Sequence, residues 1–391
     1  MSISFNNLSA INQKAAWGLM LAVGAVSLPA LAFAQAAGKP VPTVAVKVQT
    51  ELTGLNHPWS LAFLPDNQGA LITERGGNLR LWQPGKPLSA PITGVPSVWV
   101  EGQAGLWDVR IAPDFDKTRR VYLSYAKKDD KGQPHAELGY GTLSADGLNL
   151  ENFKTIFVET PALESGINLG GKLLFDPQGN ILMSLGDNNQ RIEAQNLNSL
   201  RGKVIRLTAE GGIPQDNPFV KQLGAHPEIY TFGNRNPQAL AFNPWSGDLW
   251  ETEHGPRGGD EVNILKPGNN YGWPLATYGI NYSGMPIPEA KGTHIDGMED
   301  PLYYWRISPG VSGMAFYNNA KFPAWKGTLL VGALKETSLI QLKVNNKRVL
   351  SEKRMLTNLG QRIREVQVGP DGYVYVLTDE SAGKLLKISP K

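Results

Sequence analysis

Along the chain, hydrophobic and polar positions fall into a unit that recurs six times: an apolar run, a turn rich in Pro, Asp, Asn and Gly, and a second apolar run. The copies begin at Trp59 (WSLAFLPDNQGALITE), Leu106 (LWDVRIAPDFDKTRRVYLSY), Gly171 (GKLLFDPQGNILMSLGD), Gln238 (QALAFNPWSGDLWETE), Ser312 (SGMAFYNNAKFPAWKGTLLVGAL) and Arg364 (REVQVGPDGYVYVLTD). β-Branched and aromatic residues flank turns whose Asp, Asn and Gly tolerate unusual backbone angles, so each copy predicts a β-hairpin. A spacing of about 50 to 75 residues leaves room for a four-stranded sheet and its loops, the unit of a propeller blade. One hairpin cannot bury both its faces, whereas six units packed radially cover one another. The expected fold is all-β, a six-bladed β-propeller over residues 46–391. A sandwich would also alternate its strands, but it has no need of six equivalent hairpins.

Composition agrees with strands and turns. The 391 residues include 43 glycines and 28 prolines, which disfavour long helices, and 41% hydrophobic residues, enough for a sizeable core. A formal net charge of +3, without a basic block, argues against nucleic acid as a partner. There is no cysteine, which removes disulfides, thiolate metal sites and a cysteine nucleophile. Before the first repeat, Lys14 precedes the apolar run Ala15 to Leu28, then Pro29 and Ala32-Phe33-Ala34, the order of a secretory signal. The run falls short of the roughly 20 residues a membrane span needs. Residues 1–34 are therefore expected to be removed, 35–45 to form a linker, and the mature chain to be periplasmic or secreted with no membrane span.

Propellers carry their sites on loops at one end of the central channel. The stretch from Glu253 to Pro274, EHGPRGGDEVNILKPGNNYGWP, combines Gly255-Pro256 and Gly258-Gly259, which leave carbonyls free, with the carboxylates of Glu253, Asp260 and Glu261. Hard cations such as calcium favour that mixture of oxygens, although an acidic surface turn would read the same way. Gln103 and Asn168 precede hairpins and, each taken alone, read as turn residues rather than ligand contacts. Arg235 and Asn236 stand before Pro237, where a guanidinium could grip carboxylate or carbonyl oxygens. Lys335 follows the apolar strand TLLVGAL. Arg362 and Arg364 lie two apart, so on a strand both leave the same face and repel unless an anion lies with them. Four cations from three loops beside a calcium-type loop point to an oxygen-rich, polyanionic small ligand.

The chain resembles the PQQ-dependent soluble aldose sugar dehydrogenases, related to soluble quinoprotein glucose dehydrogenase, from about Leu52 to Pro390. The specific elements are GNRNPQALAF, TEHGPRGGDEVN with PGNNYGWP, DNPF at Asp216, SGMAFY, FPAWKGTLLVGAL and RIREVQVGPDGYVYVLTDE. The resemblance implies a six-bladed propeller that binds pyrroloquinoline quinone (PQQ), a tricarboxylate quinone, and calcium. It implies contacts to PQQ from Gln103, Arg235, Asn236, Ala333, Leu334, Lys335, Arg362 and Arg364. Gly255 and Pro256 would present carbonyls to calcium, and Glu261 and Tyr271 match positions for a calcium in the same loop. The implied reaction passes hydride from an aldose to the quinone and yields a lactone.

One position departs from the family. Its catalytic histidine stands directly before the X-Gly-Gly-Lys/Arg segment, and here Asn168 occupies that place in NLGGK, with the supporting aspartate retained as Asp187. None of the five histidines, His57, His135, His226, His254 and His294, falls there. An amide hydrogen-bonds a hydroxyl but does not take its proton. Two other classes therefore stay open: a propeller that binds PQQ or a sugar with little or no turnover, and a propeller lactonase or esterase. The sequence names neither the electron acceptor nor a choice between monomer and homodimer.

Overall fold

A computed structural model describes residues 44–345 and 348–391; the expected signal segment and most of the linker lie outside the described residues. Among the described residues there are six antiparallel sheets, five of four strands and one of three. Their inner strands are Pro58–Phe63, Leu106–Ile111, Gly170–Phe175, Pro237–Phe242, Val311–Tyr317 and Ile363–Val368. All six repeats map to the first two strands of a sheet. Each inner strand packs beside those of its two neighbours, and the ring closes where Pro58–Phe63 meets Ile363–Val368. The fold is thus a six-bladed β-propeller, and we number the blades in the order of these inner strands.

Closure uses both ends of the domain. Val46–Leu55 pairs antiparallel with Gly383–Pro390, so the first described strand completes blade 6. Blade 1 stops at three strands, which matches the shortest interval between repeats.

The core lies in the seams between blades. Trp107, Leu173 and Met183 fill the seam of blades 2 and 3, Trp250, Val262 and Val331 that of blades 4 and 5, and Leu61, Ile72 and Leu377 that of blades 6 and 1. Apolar faces that a single hairpin would expose are in this way removed from water, at roughly 25 cal/mol per Å². Gly171 shows how tight the packing is: a Cβ there would come 2.7 Å from the Trp107 ring. Around the channel the inner strands also carry charge. The Lys172 ammonium lies 2.7 Å from Glu365 Oε2 and 3.5 Å from Asp108 Oδ1, tying blade 3 to blades 6 and 2. Burial opposes ionisation of Asp108, but Arg110 and Lys172 hold its carboxyl below the usual range.

Candidate functional site

Loops at one end of the inner strands enclose a cleft of about 500 Å³. Gln103, Pro256, Leu334, Lys335, Arg362 and Arg364 line it, as do Trp59, Gln238, His254 and Asp379, which the sequence did not single out. Arg235, Gly255, Glu261 and Tyr271 line a smaller pocket that shares His254 with the cleft. Asn168, Asp187, Asn236 and Ala333 are buried, at 4%, 1%, 2% and 0% exposure, and line neither cavity.

Arg362 and Arg364 flank Ile363 and do share a face. Their Nη2 atoms donate to the same oxygen, Asp379 Oδ2, at 3.2 and 2.9 Å. The repulsion between them is therefore met partly within the chain. Burial opposes the charge on Asp379, yet Arg364 and Arg362 hold its carboxyl well below the usual range, and His57 Nδ1 adds a contact to Oδ1 at 3.2 Å. Arg364 also lies 4.1 Å over the Trp59 ring and donates to Gln238 Oε1 at 3.2 Å, while its Nε is buried without a partner. Arg75, Arg257 and Lys335 bring the cleft to five cations against one carboxylate. His254 adds no charge at neutral pH: burial, with Arg235, Arg364 and Arg362 nearby, pushes its imidazole down to about 4.

The neighbouring corner is made of amides. Asn168 has a left-handed backbone, φ 55°, and its N–H donates to Gln103 Oε1 at 3.0 Å. Its Nδ2 donates to Asp187 Oδ1 at 3.0 Å and Asn189 Oδ1 at 3.2 Å, and its Oδ1 faces Asn236 Nδ2 at 3.5 Å. Asp187 also accepts from the Asn189 N–H at 2.9 Å and, through Oδ2, from Trp273 Nε1 at 2.8 Å. Both oxygens of the carboxylate are thus committed.

The glycine-rich loop separates into two functions. A Cβ on Gly255 would come 2.2 Å from the Gly258 carbonyl oxygen, so the turn requires glycine. Asp260, expected from the sequence to be a possible cation ligand, is instead a staple. Its Oδ1 accepts from the Gly255 N–H at 3.1 Å, and its Oδ2 from Ser308 Oγ and the N–H groups of Gly310 and Val311 at 2.8 to 3.0 Å. Strand pairing places Glu251 opposite Asn263 and Glu253 opposite Glu261, so four polar side chains share one face. Asn263 Nδ2 is shared among all three carboxylates, at 3.0 to 3.4 Å, and Glu251 Oε1 and Asn263 Oδ1 are buried without partners. Burial pushes Glu253 up to about 7, and burial together with Glu253 pushes Glu251 and Glu261 well above the usual range. Such a set is one that a hard cation would relieve. Tyr271 could join only through its main chain, because its hydroxyl donates to the Ile264 carbonyl at 2.7 Å and accepts from the Lys266 N–H at 2.8 Å. Among the described residues no group of three or more His, Cys, Asp or Glu side chains is arranged to hold a metal alone, so carbonyls and amide oxygens must complete any shell.

The surplus of cations, the unpartnered guanidinium Nε and the carbonyl turn fit a carboxylate-rich quinone with calcium. The family model for glucose / sorbosone dehydrogenase matches residues 55–387. The chain belongs to that family. It is 57% identical to the aldose sugar dehydrogenase YliI of Escherichia coli (strain K12), over 88% of this chain and 93% of the relative. The apo-form crystal structure of the soluble E. coli aldose sugar dehydrogenase superposes with a TM-score of 0.87 at 56% identity, covering 89% of this chain and all of that one. A PQQ-bound aldose sugar dehydrogenase from Streptomyces coelicolor superposes with a TM-score of 0.74 at 25% identity, covering 90% and 100%. As a glucose/sorbosone dehydrogenase family member, the chain is an oxidoreductase of the quinoprotein type that acts on sugars.

Proposed function

We propose that the protein oxidises the anomeric carbon of aldoses to give lactones, with PQQ and calcium as cofactors. The observation that carries this reading is the cleft with five cations and one carboxylate beside the Gly255–Pro256 turn. Lys335, Arg362 and Arg364 would hold the carboxylates, with Gln103 and Leu334 fixing the ring system and Arg235 adding a further cation, while the buried Asn236, through Gln238, and Ala333, beside Leu334, would support that lining. Gly255 and Pro256 would give carbonyls to calcium, and Glu261, with Glu253 and the Tyr271 main chain, would hold a second calcium. When bound, PQQ supplies the acceptor for the hydride that leaves the sugar. Removal of residues 1–34 and export to the periplasm or beyond belong to the same reading; among the described residues no helix is long and apolar enough to cross a membrane.

The amide corner sets the rate. Both Asn168 amide hydrogens are given away and its Oδ1 faces Asn236 Nδ2, and an amide oxygen does not remove a proton from a sugar hydroxyl. Loss of a general base typically costs about 100-fold to 10,000-fold. The same geometry favours a second reading, a propeller that binds PQQ and sugar with slow turnover. Titration with PQQ and calcium tests both: a bound-quinone spectrum at micromolar concentration is expected, and no binding overturns both. Bleaching of that spectrum by aldoses then separates the enzyme from the binder.

A further inference from the structure

Arg235 is pinned by its main chain and held by its side chain in a place other than the cleft. Its N–H donates to Glu253 Oε2 at 2.5 Å, and the Asn236 N–H donates to the same oxygen at 3.2 Å. The guanidinium lies 5.2 Å over the Trp273 ring, and Nη1 donates to the carbonyls of His254 and Gly255, both at 3.0 Å. Its Nε is buried without a partner, and the residue lines the smaller pocket. The Gly255 carbonyl is also an oxygen that the loop would offer to calcium. A divalent cation and a guanidinium then claim one oxygen, and two positive groups that close repel strongly.

Building on the PQQ and calcium reading above, we infer that Arg235 couples the two binding events: a cation at the Gly255 carbonyl displaces the guanidinium, which swings on its fixed backbone to the anion in the cleft. Linkage makes the effect reciprocal. An anion that draws Arg235 away leaves the carbonyl to calcium, and each ligand raises the affinity for the other by the same factor. The Nε and the remaining donors of the fork supply the contacts that the swing would make.

The test is calorimetric titration of chelator-treated protein with calcium alone, then PQQ titration with and without calcium, for wild type, Arg235→Lys and Arg235→Met. Arg235→Lys keeps the charge but shortens the reach to the two carbonyls. Both variants are expected to bind calcium alone about 10-fold tighter than wild type. The calcium-induced gain in PQQ affinity, about 10-fold or more in wild type, is expected to fall below about 3-fold in both. A calcium gain in Arg235→Met alone would mean simple charge repulsion and overturn the inference, as would coupling retained in Arg235→Lys. If wild type fails to bind PQQ, the quinone reading falls, while the calcium-only titration still decides whether Arg235 guards the carbonyl. Independently of those variants, calcium alone should change tryptophan emission in wild type and not in Trp273→Phe; no change in wild type overturns the swing.

Discussion

On one side of the cleft, Arg362 and Arg364 share a single carboxylate with Lys335 nearby, and positive charge is left over. Away from the cleft wall, Asn168 and Asp187 satisfy each other and their neighbours, so that both amide hydrogens of Asn168 and both oxygens of Asp187 already have partners. The first arrangement is incomplete without an anion, because guanidinium groups held 7% exposed, as Arg364 is, lose hydration that only a partner restores. The second is complete as it stands. The cation cluster therefore carries an unmet electrostatic demand that the amide corner does not.

The comparison breaks most sharply at Asn168. Asn168→His restores a base beside Asp187, and stopped-flow reduction of the bound quinone by an aldose should accelerate by about 100-fold or more. An unchanged rate would place the missing element elsewhere. Next in size is Asp260→Ala, which strips acceptors from the N–H groups of Gly255, Gly310 and Val311. Denaturant unfolding should show a loss of about 3 kcal/mol, since buried unpaired donors cost about 1 to 3 kcal/mol each. Arg364→Met should weaken PQQ by about 10- to 100-fold in fluorescence titration, the worth of a charge-assisted contact, and leave calcium binding alone less affected.

The smallest effect concerns acid. Asp379 has its folded pKa depressed from 3.8, so its contribution is fully present above that value and lost as pH falls below it. Thermal melts of Asp379→Asn should therefore lose less stability than wild type between about pH 4 and pH 2. Equal acid limbs would show that the arginine pair is held by packing alone. An Asn168→Ala variant should keep the acid limb of wild type, because an amide does not titrate.

Much of this was legible in the sequence for local reasons. Strand alternation and turn chemistry act over a few residues, so six hairpins, and the loops after them, could be read directly. The same locality placed Arg362 and Arg364 on one face and marked Gly255-Pro256 as a carbonyl turn. Side-chain roles that depend on distant partners could not be read. Asp260 and Glu261 are adjacent acids in the sequence, yet one is spent on backbone N–H groups some 50 residues away and the other faces Glu253 across a strand pair. Asp379, 15 residues from Arg364, carries no local sign that it neutralises that arginine.

By itself, then, the sequence determined an all-β propeller of six blades and the local turns and strand faces from which the proposed site is built. Tertiary structure alone decided that Val46–Leu55 closes the ring in blade 6, that Asp379 answers the arginine pair, and that Arg235 holds the Gly255 carbonyl. The reason is physical. Backbone pattern is set by neighbours in the chain, whereas the partner of a buried charge is set by which blades the closed ring brings together.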